Sequence, residues 1–119
     1  MTRRVLVIDD DARVRTALTD LLASTADLAP VVSAATAAEA QAAAEHNGPF
    51  DLAIVDLLLP DPATGLALIR GLTPLVPVIA VSVSGVHRTA ALAAGASVFL
   101  DKDGRVDALL AALRASLTR

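Results

Sequence analysis

Short apolar blocks, each closed by polar residues and followed by a stretch of helical periodicity, recur five times along the chain. Val5-Leu6-Val7-Ile8 is the first block, and Asp9-Asp10-Asp11 ends it. Val14, Ala17, Leu18, Leu21 and Leu22 then repeat at helical spacing, which predicts a helix from about Asp11 to Ser24 with an acidic N-terminus suited to its dipole. Leu28 to Ala34 reads as a weaker strand at a sheet edge, because Pro30 cannot donate to a ladder. Thr36-Ala37-Ala38-Glu39 has the spacing of a capping box, in which the two side chains satisfy free amides reciprocally. The helix it opens runs through the alanines to Asn47-Gly48-Pro49.

The stretch from Asp51 to Pro60 organises the rest. Its run of Leu, Ile and Val has no alternation, as in a strand covered on both faces. Asp56 interrupts this run, and a carboxylate in such surroundings is costly unless it is paired, solvated from one side or bound to a cation. A plain cap or turn residue is the structural alternative. Pro60 to Gly65 reads as a loop, and Leu66 to about Gly71 as a short helix. Pro77 to Val81 is another buried run, Val86 to Ala94 an Ala-rich helix ended by Gly95, and Ser97 to Leu100 the last strand. Val106, Leu109, Leu110, Leu113 and Leu117 mark a final amphipathic helix. Strand and helix in strict alternation imply an α/β domain with a parallel sheet and helices on both faces. Ligands of such sheets sit outside the carboxyl ends of the strands, where the strand order reverses.

Composition narrows the function. At 119 residues the expectation is one domain over 1–119. Although 55% of residues are hydrophobic, no uninterrupted segment reaches the ~18 apolar residues of a membrane span. Arg3 and Arg4 precede only four apolar residues, fewer than the ~7–15 of a secretory signal, so cytoplasmic residence is expected. Without Cys, and with only His46 and His87, thiolate chemistry and zinc are disfavoured. A net charge of −3 with no basic run argues against direct nucleic-acid binding by this chain. Nine of the ten basic residues are Arg, which makes the single Lys102 stand out as a compact point charge.

The polar residues that follow the apolar strands are Asp9 and Asp10, Asp56, Ser82 and Lys102. Parallel strands deliver all of them to one edge. Singly they read as helix caps, a turn hydroxyl and a solvated loop charge; jointly they read as a site. Carboxylates ~5 Å apart repel by roughly 3 kcal/mol at an effective dielectric near 20, so the cluster calls for a cation. Mg²⁺ fits best, because it prefers oxygen ligands and is held by one or two carboxylates plus phosphate. A carboxylate nucleophile, a divalent ion, a lysine and a hydroxyl describe phosphoryl transfer.

Val7 to Asp11, Asp51 to Pro60, Pro77 to Ser82 and Ala94 through Lys102 together resemble the receiver domain of bacterial two-component response regulators. The resemblance covers essentially the whole chain and implies a doubly wound, flavodoxin-like fold of five parallel strands in the order 2-1-3-4-5 with five helices on both faces. It implies that Asp56 accepts a phosphoryl group from a sensor histidine kinase, that Asp9 and Asp10 hold Mg²⁺ together with Asp56, and that Leu58 adds its backbone carbonyl to the metal. Ser82 matches the switch hydroxyl, Lys102 the phosphate-pairing lysine and Phe99 the aromatic that follows the switch. The domain would catalyse only its own phosphorylation and dephosphorylation, and partners would include a homodimer of the phosphorylated form. Phe99-Leu100-Asp101-Lys102-Asp103 is closer to the NarL/FixJ group, which implies a C-terminal helix-turn-helix DNA-binding domain in the full-length protein and an output in transcription. Departures from the family pattern are a longer loop from Pro60 to Gly65, Val83 after the hydroxyl, and Asp103 in place of Pro after the lysine.

Two rival readings stand beside this one. A haloacid-dehalogenase-like Mg²⁺-dependent phosphohydrolase also uses an aspartate nucleophile, but it wants a second Asp two residues on, where this chain has Leu58. A degenerate receiver would serve only as a protein-interaction module, and magnesium binding would separate it from a working one.

Overall fold

The computed structural model describes residues 4–23, 31–57, 61–82, 85–101, 111 and 115. Strands β1 (Val5–Ile8), β2 (Val31–Ala34), β3 (Leu52–Asp56), β4 (Val78–Ser82) and β5 (Val98–Asp101) alternate with helices α1 (Ala12–Ala23), α2 (Ala37–His46), α3 (Pro62–Leu72) and α4 (Arg88–Ala94). A 3-10 turn over Gly85–His87 leads into α4. Of the predicted final helix, Ala111 and Ala115 are helical and the other residues lie outside the described ones.

All strand pairs are parallel, in the order β2-β1-β3-β4-β5. Strand β2 takes an edge, as Pro30 suggested, although Pro30 itself lies outside the described residues. Burial on both sides follows from strands without alternation: every residue of β1, β3 and β4 is buried. Leu6, Ile8, Ala53, Val55, Val78 and Ala80 point to one face, where Ala40 of α2, Leu68, Ile69 and Leu72 of α3 and Ala91 of α4 cover them. Val5, Val7, Leu52, Ile54, Ile79 and Val81 point to the other, against Leu22 and Leu18 of α1. The period of two along each strand thus sorts one continuous apolar run into two cores. Among the described residues, no helix is long and apolar enough to cross a membrane.

Two expectations need correction. The span Pro60 to Gly65 is not all loop, since α3 begins at Pro62 and takes in Thr64 and Gly65. The reason is local: Asp61 is an N-cap whose carboxylate accepts the Thr64 N–H at 2.9 Å, and Pro62 fills the first helical position, where no N–H is needed. At α2, Thr36 Oγ1 accepts the Glu39 N–H at 3.1 Å as a capping box requires. The Glu39 carboxylate, however, accepts from the Thr36 hydroxyl at 3.1 Å, so the return contact runs to the side chain instead of the backbone amide.

Candidate functional site

The carboxyl ends of β1 and β3 lie side by side, because Ile8 is in register with Val55. Strand order reverses around β1, so this is the switch point of the sheet. Asp9, the first residue after β1, and Asp56, the last of β3, therefore emerge as neighbours. Each of Asp9, Asp10 and Asp56 offers a carboxylate oxygen within 4.8 Å of the other two. Asp9 is 1% exposed and Asp56 5%, whereas Asp10 faces solvent.

The backbone holds this edge firmly. The Asp9 N–H donates to the Ala34 carbonyl at 3.2 Å, and the Leu57 N–H to the Val81 carbonyl at 2.9 Å, so the ladder runs one residue past the strands on either side of the acidic pair. Asp9 Oδ1 accepts the Asp11 N–H at 2.9 Å, which fixes one buried carboxylate oxygen by a charge-assisted bond. Of the three consecutive aspartates, Asp11 has a different task. Its Oδ1 accepts the Arg13 N–H at 2.9 Å and caps α1. Two of the three thus turn to the cluster, and the third starts the helix.

Ser82 is fully buried at the end of β4 and follows Val81, the residue in register with Asp56. It faces Asp101 on β5, so a hydroxyl and a further, exposed carboxylate share the same edge. Phe99, 4% exposed, belongs to the core of the α2–α4 face, and the Arg88 guanidinium lies 5.9 Å from its ring centroid. Leu58 and Lys102 lie outside the described residues, as do Val83 and Asp103.

Three hard oxygen donors, two of them buried, suit a small divalent cation such as Mg²⁺ in ligand type and charge. At 4.8 Å each carboxylate pair repels by about 3 kcal/mol at an effective dielectric of ~20, which such an ion would reverse. Two features of the site escaped the sequence. Arg15 Nη1 donates to the Asp9 carbonyl at 2.7 Å, a contact across six residues that no motif announces. Gly65 lies so close to Leu57 that a Cβ would overlap the Leu57 carbonyl oxygen. Placed at the end of a loop by its neighbours in sequence, Gly65 gave no signal of that close approach.

The family model of the response regulator receiver domain matches residues 5–114. The transcriptional regulatory protein KdpE of Mycobacterium tuberculosis is 39% identical over 120 residues, which cover 97% of this chain and 51% of that protein. The chain spans about half the length of the curated relatives it matches. Among solved structures, a CheY-like response regulator receiver domain protein from Methanospirillum hungatei JF-1 has a TM-score of 0.86 at 30% identity, covering 99% of this chain and 95% of that one. The chemotaxis protein CheY4 of Vibrio cholerae has a TM-score of 0.85 at 25% identity, covering 98% of this chain and 100% of that one. The length of these matches favours a receiver over a phosphohydrolase. With its flavodoxin-like strand order and an acidic cluster at the switch point, the chain belongs to the response regulator receiver domain family and is a signalling domain of a two-component system.

Proposed function

We propose that Asp56 is the phosphoacceptor, and that residues 1–119 act as one receiver domain, cytoplasmic and driven by a sensor histidine kinase. The observation that carries this reading is the convergence of the Asp9, Asp10 and Asp56 carboxylate oxygens within 4.8 Å at the β1/β3 switch point. Asp56 is the member of that cluster that ends a fully buried strand, which limits how far its carboxylate can wander from an incoming phosphorus. One Asp56 oxygen forms the new P–O bond, and the bond from phosphorus to the donor, a phosphohistidine nitrogen or an acyl oxygen, breaks with its electron pair leaving on the donor. Asp9, Asp10 and Asp56, with the Leu58 carbonyl, would hold Mg²⁺, which when bound supplies positive charge to the phosphoryl oxygens. Ser82 and Lys102 are assigned the remaining oxygens, the first as a hydroxyl donor and the second as an ammonium. Ser82 and Phe99 are assigned the conformational switch, and the domain catalyses only the gain and loss of its own phosphoryl group.

For the output we propose transcription control through a C-terminal DNA-binding domain in the full-length protein, with a homodimer of the phosphorylated form. The support is the KdpE relative, a transcriptional regulatory protein twice as long as the match. Affiliation with the NarL/FixJ group rests on the sequence from Phe99 to Asp103 alone.

Incubation with acetyl phosphate and Mg²⁺, then borohydride trapping and peptide mapping, tests the acceptor. Label is expected on Asp56 and absent from Asp56→Asn. Label on Asp61, or label that survives Asp56→Asn, would overturn the assignment.

A further inference from the structure

Arg15 brings a charge to the acidic site that its sequence spacing did not disclose. Its Nη1 donates to the Asp9 carbonyl at 2.7 Å in a part-buried contact. The guanidinium keeps its charge at any pH the protein meets, and partial burial limits screening by salt. Helix α1 does not require this contact, since Asp11 already caps it through the Arg13 N–H at 2.9 Å. Arg13 makes the contrast plain. Its side chain, 93% exposed, meets Asp11 at 3.6 Å, as a solvated pair directed at the capping residue.

We infer that Arg15 is a resident counter-ion of the Asp9, Asp10 and Asp56 cluster, beside whatever charge Lys102 brings: through its contact with Asp9 it offsets part of their mutual repulsion before a divalent cation binds, and so weakens the binding of that cation. The inference rests on the reading that the cluster holds Mg²⁺. Two effects of Arg15 compete. Its hydrogen bond orders the Asp9 carbonyl, which would favour the metal, while its charge opposes a second cation. Ordering is redundant here, because the Asp9 N–H is tied to Ala34 and the Asp9 carboxylate already accepts the Asp11 N–H. The charge is not duplicated by either contact, so its effect decides the sign.

The test is a Mg²⁺ titration of the full chain followed by NMR, with thermal melts at zero and saturating Mg²⁺, on wild type, Arg15→Lys, Arg15→Gln and Arg15→Met. The neutral variants are expected to bind Mg²⁺ about fivefold more tightly, the scale of removing one unit charge several ångströms from a divalent ion near the surface. Their melting points should fall without Mg²⁺ and recover with it, while Arg15→Lys stays near wild type. Arg15→Met keeps an apolar stem in place should the glutamine variant fold poorly. A merely structural role would weaken binding, so unchanged or weaker affinity in the folded neutral variants overturns the inference while Mg²⁺ binding by wild type keeps the metal reading intact. A wild type that shows no saturable Mg²⁺ binding overturns both.

Discussion

Gly65 sits against the backbone of Leu57 with no room for a Cβ between them. Leu57 cannot retreat, because its side chain is fully buried and its N–H is bonded to the Val81 carbonyl at 2.9 Å. It is also the residue after Asp56, so any shift reaches that buried carboxylate directly. Gly65→Ala should gain up to ~1 kcal/mol of helix propensity, yet overpacking costs of about 1–3 kcal/mol should dominate. Urea denaturation is expected to show a net loss, and acetyl phosphate labelling of the folded fraction to slow. A variant as stable as wild type would mean that α3 yields instead of β3.

Asp10 and Asp11 are adjacent in sequence and opposite in role. Asp11→Ala should cost about 1 kcal/mol through loss of the α1 cap, with Mg²⁺ affinity within ~twofold of wild type. Asp10→Asn removes one of the mutually repelling carboxylates, and should leave stability equal or higher while lowering Mg²⁺ affinity about tenfold or more. Thermal melts paired with Mg²⁺ titrations separate the two, and a loss of metal affinity in Asp11→Ala would erase the distinction.

Asp61 is an aspartate of structure. It is exposed and its carboxylate is engaged with the Thr64 N–H, so Asp61→Ala should lose about 1 kcal/mol of stability and keep full labelling at Asp56. Equal stability of the two proteins in urea would refute the cap.

Phe99 and Arg88 are unequal partners. The ring is buried in the larger core, and Phe99→Ala should cost about 3–5 kcal/mol. Arg88→Ala, removing an exposed cation from 5.9 Å above the ring, should cost at most ~1 kcal/mol. Denaturation midpoints of the two variants check the ratio, and similar losses would show that the guanidinium carries more than a surface contact.

The strands were legible because burial on both faces leaves an apolar run that Asp, Ser or Gly must end. Asp9, Asp10 and Asp56 could be read as a group for the same reason: in a parallel sheet, the first polar residue after each block marks the same edge. What the sequence hid were contacts set by packing. The start of α3 was misplaced because Pro62 and Gly65 both look like loop residues, although one suits the first helical position and the other answers to Leu57. Arg15 was unreadable because its partner is a backbone carbonyl, which every residue possesses. Phe99 was assigned by resemblance alone, and its place among Leu68, Ala80 and Ala91 is a matter of tertiary packing.

The ladder bonds that run past the strands at Asp9 and Leu57 also set a clock for the site. Amide protons inside a cooperative sheet exchange with solvent only when the whole domain opens, whereas those at helix ends exchange through local fraying. The Leu57 proton should therefore persist in D₂O as long as those of central β3, and the Asp9 proton nearly as long, while the Thr64 proton at the α3 cap disappears early. An acid cluster mounted on the slowest protons keeps its oxygens in place whether or not a ligand is there to hold them.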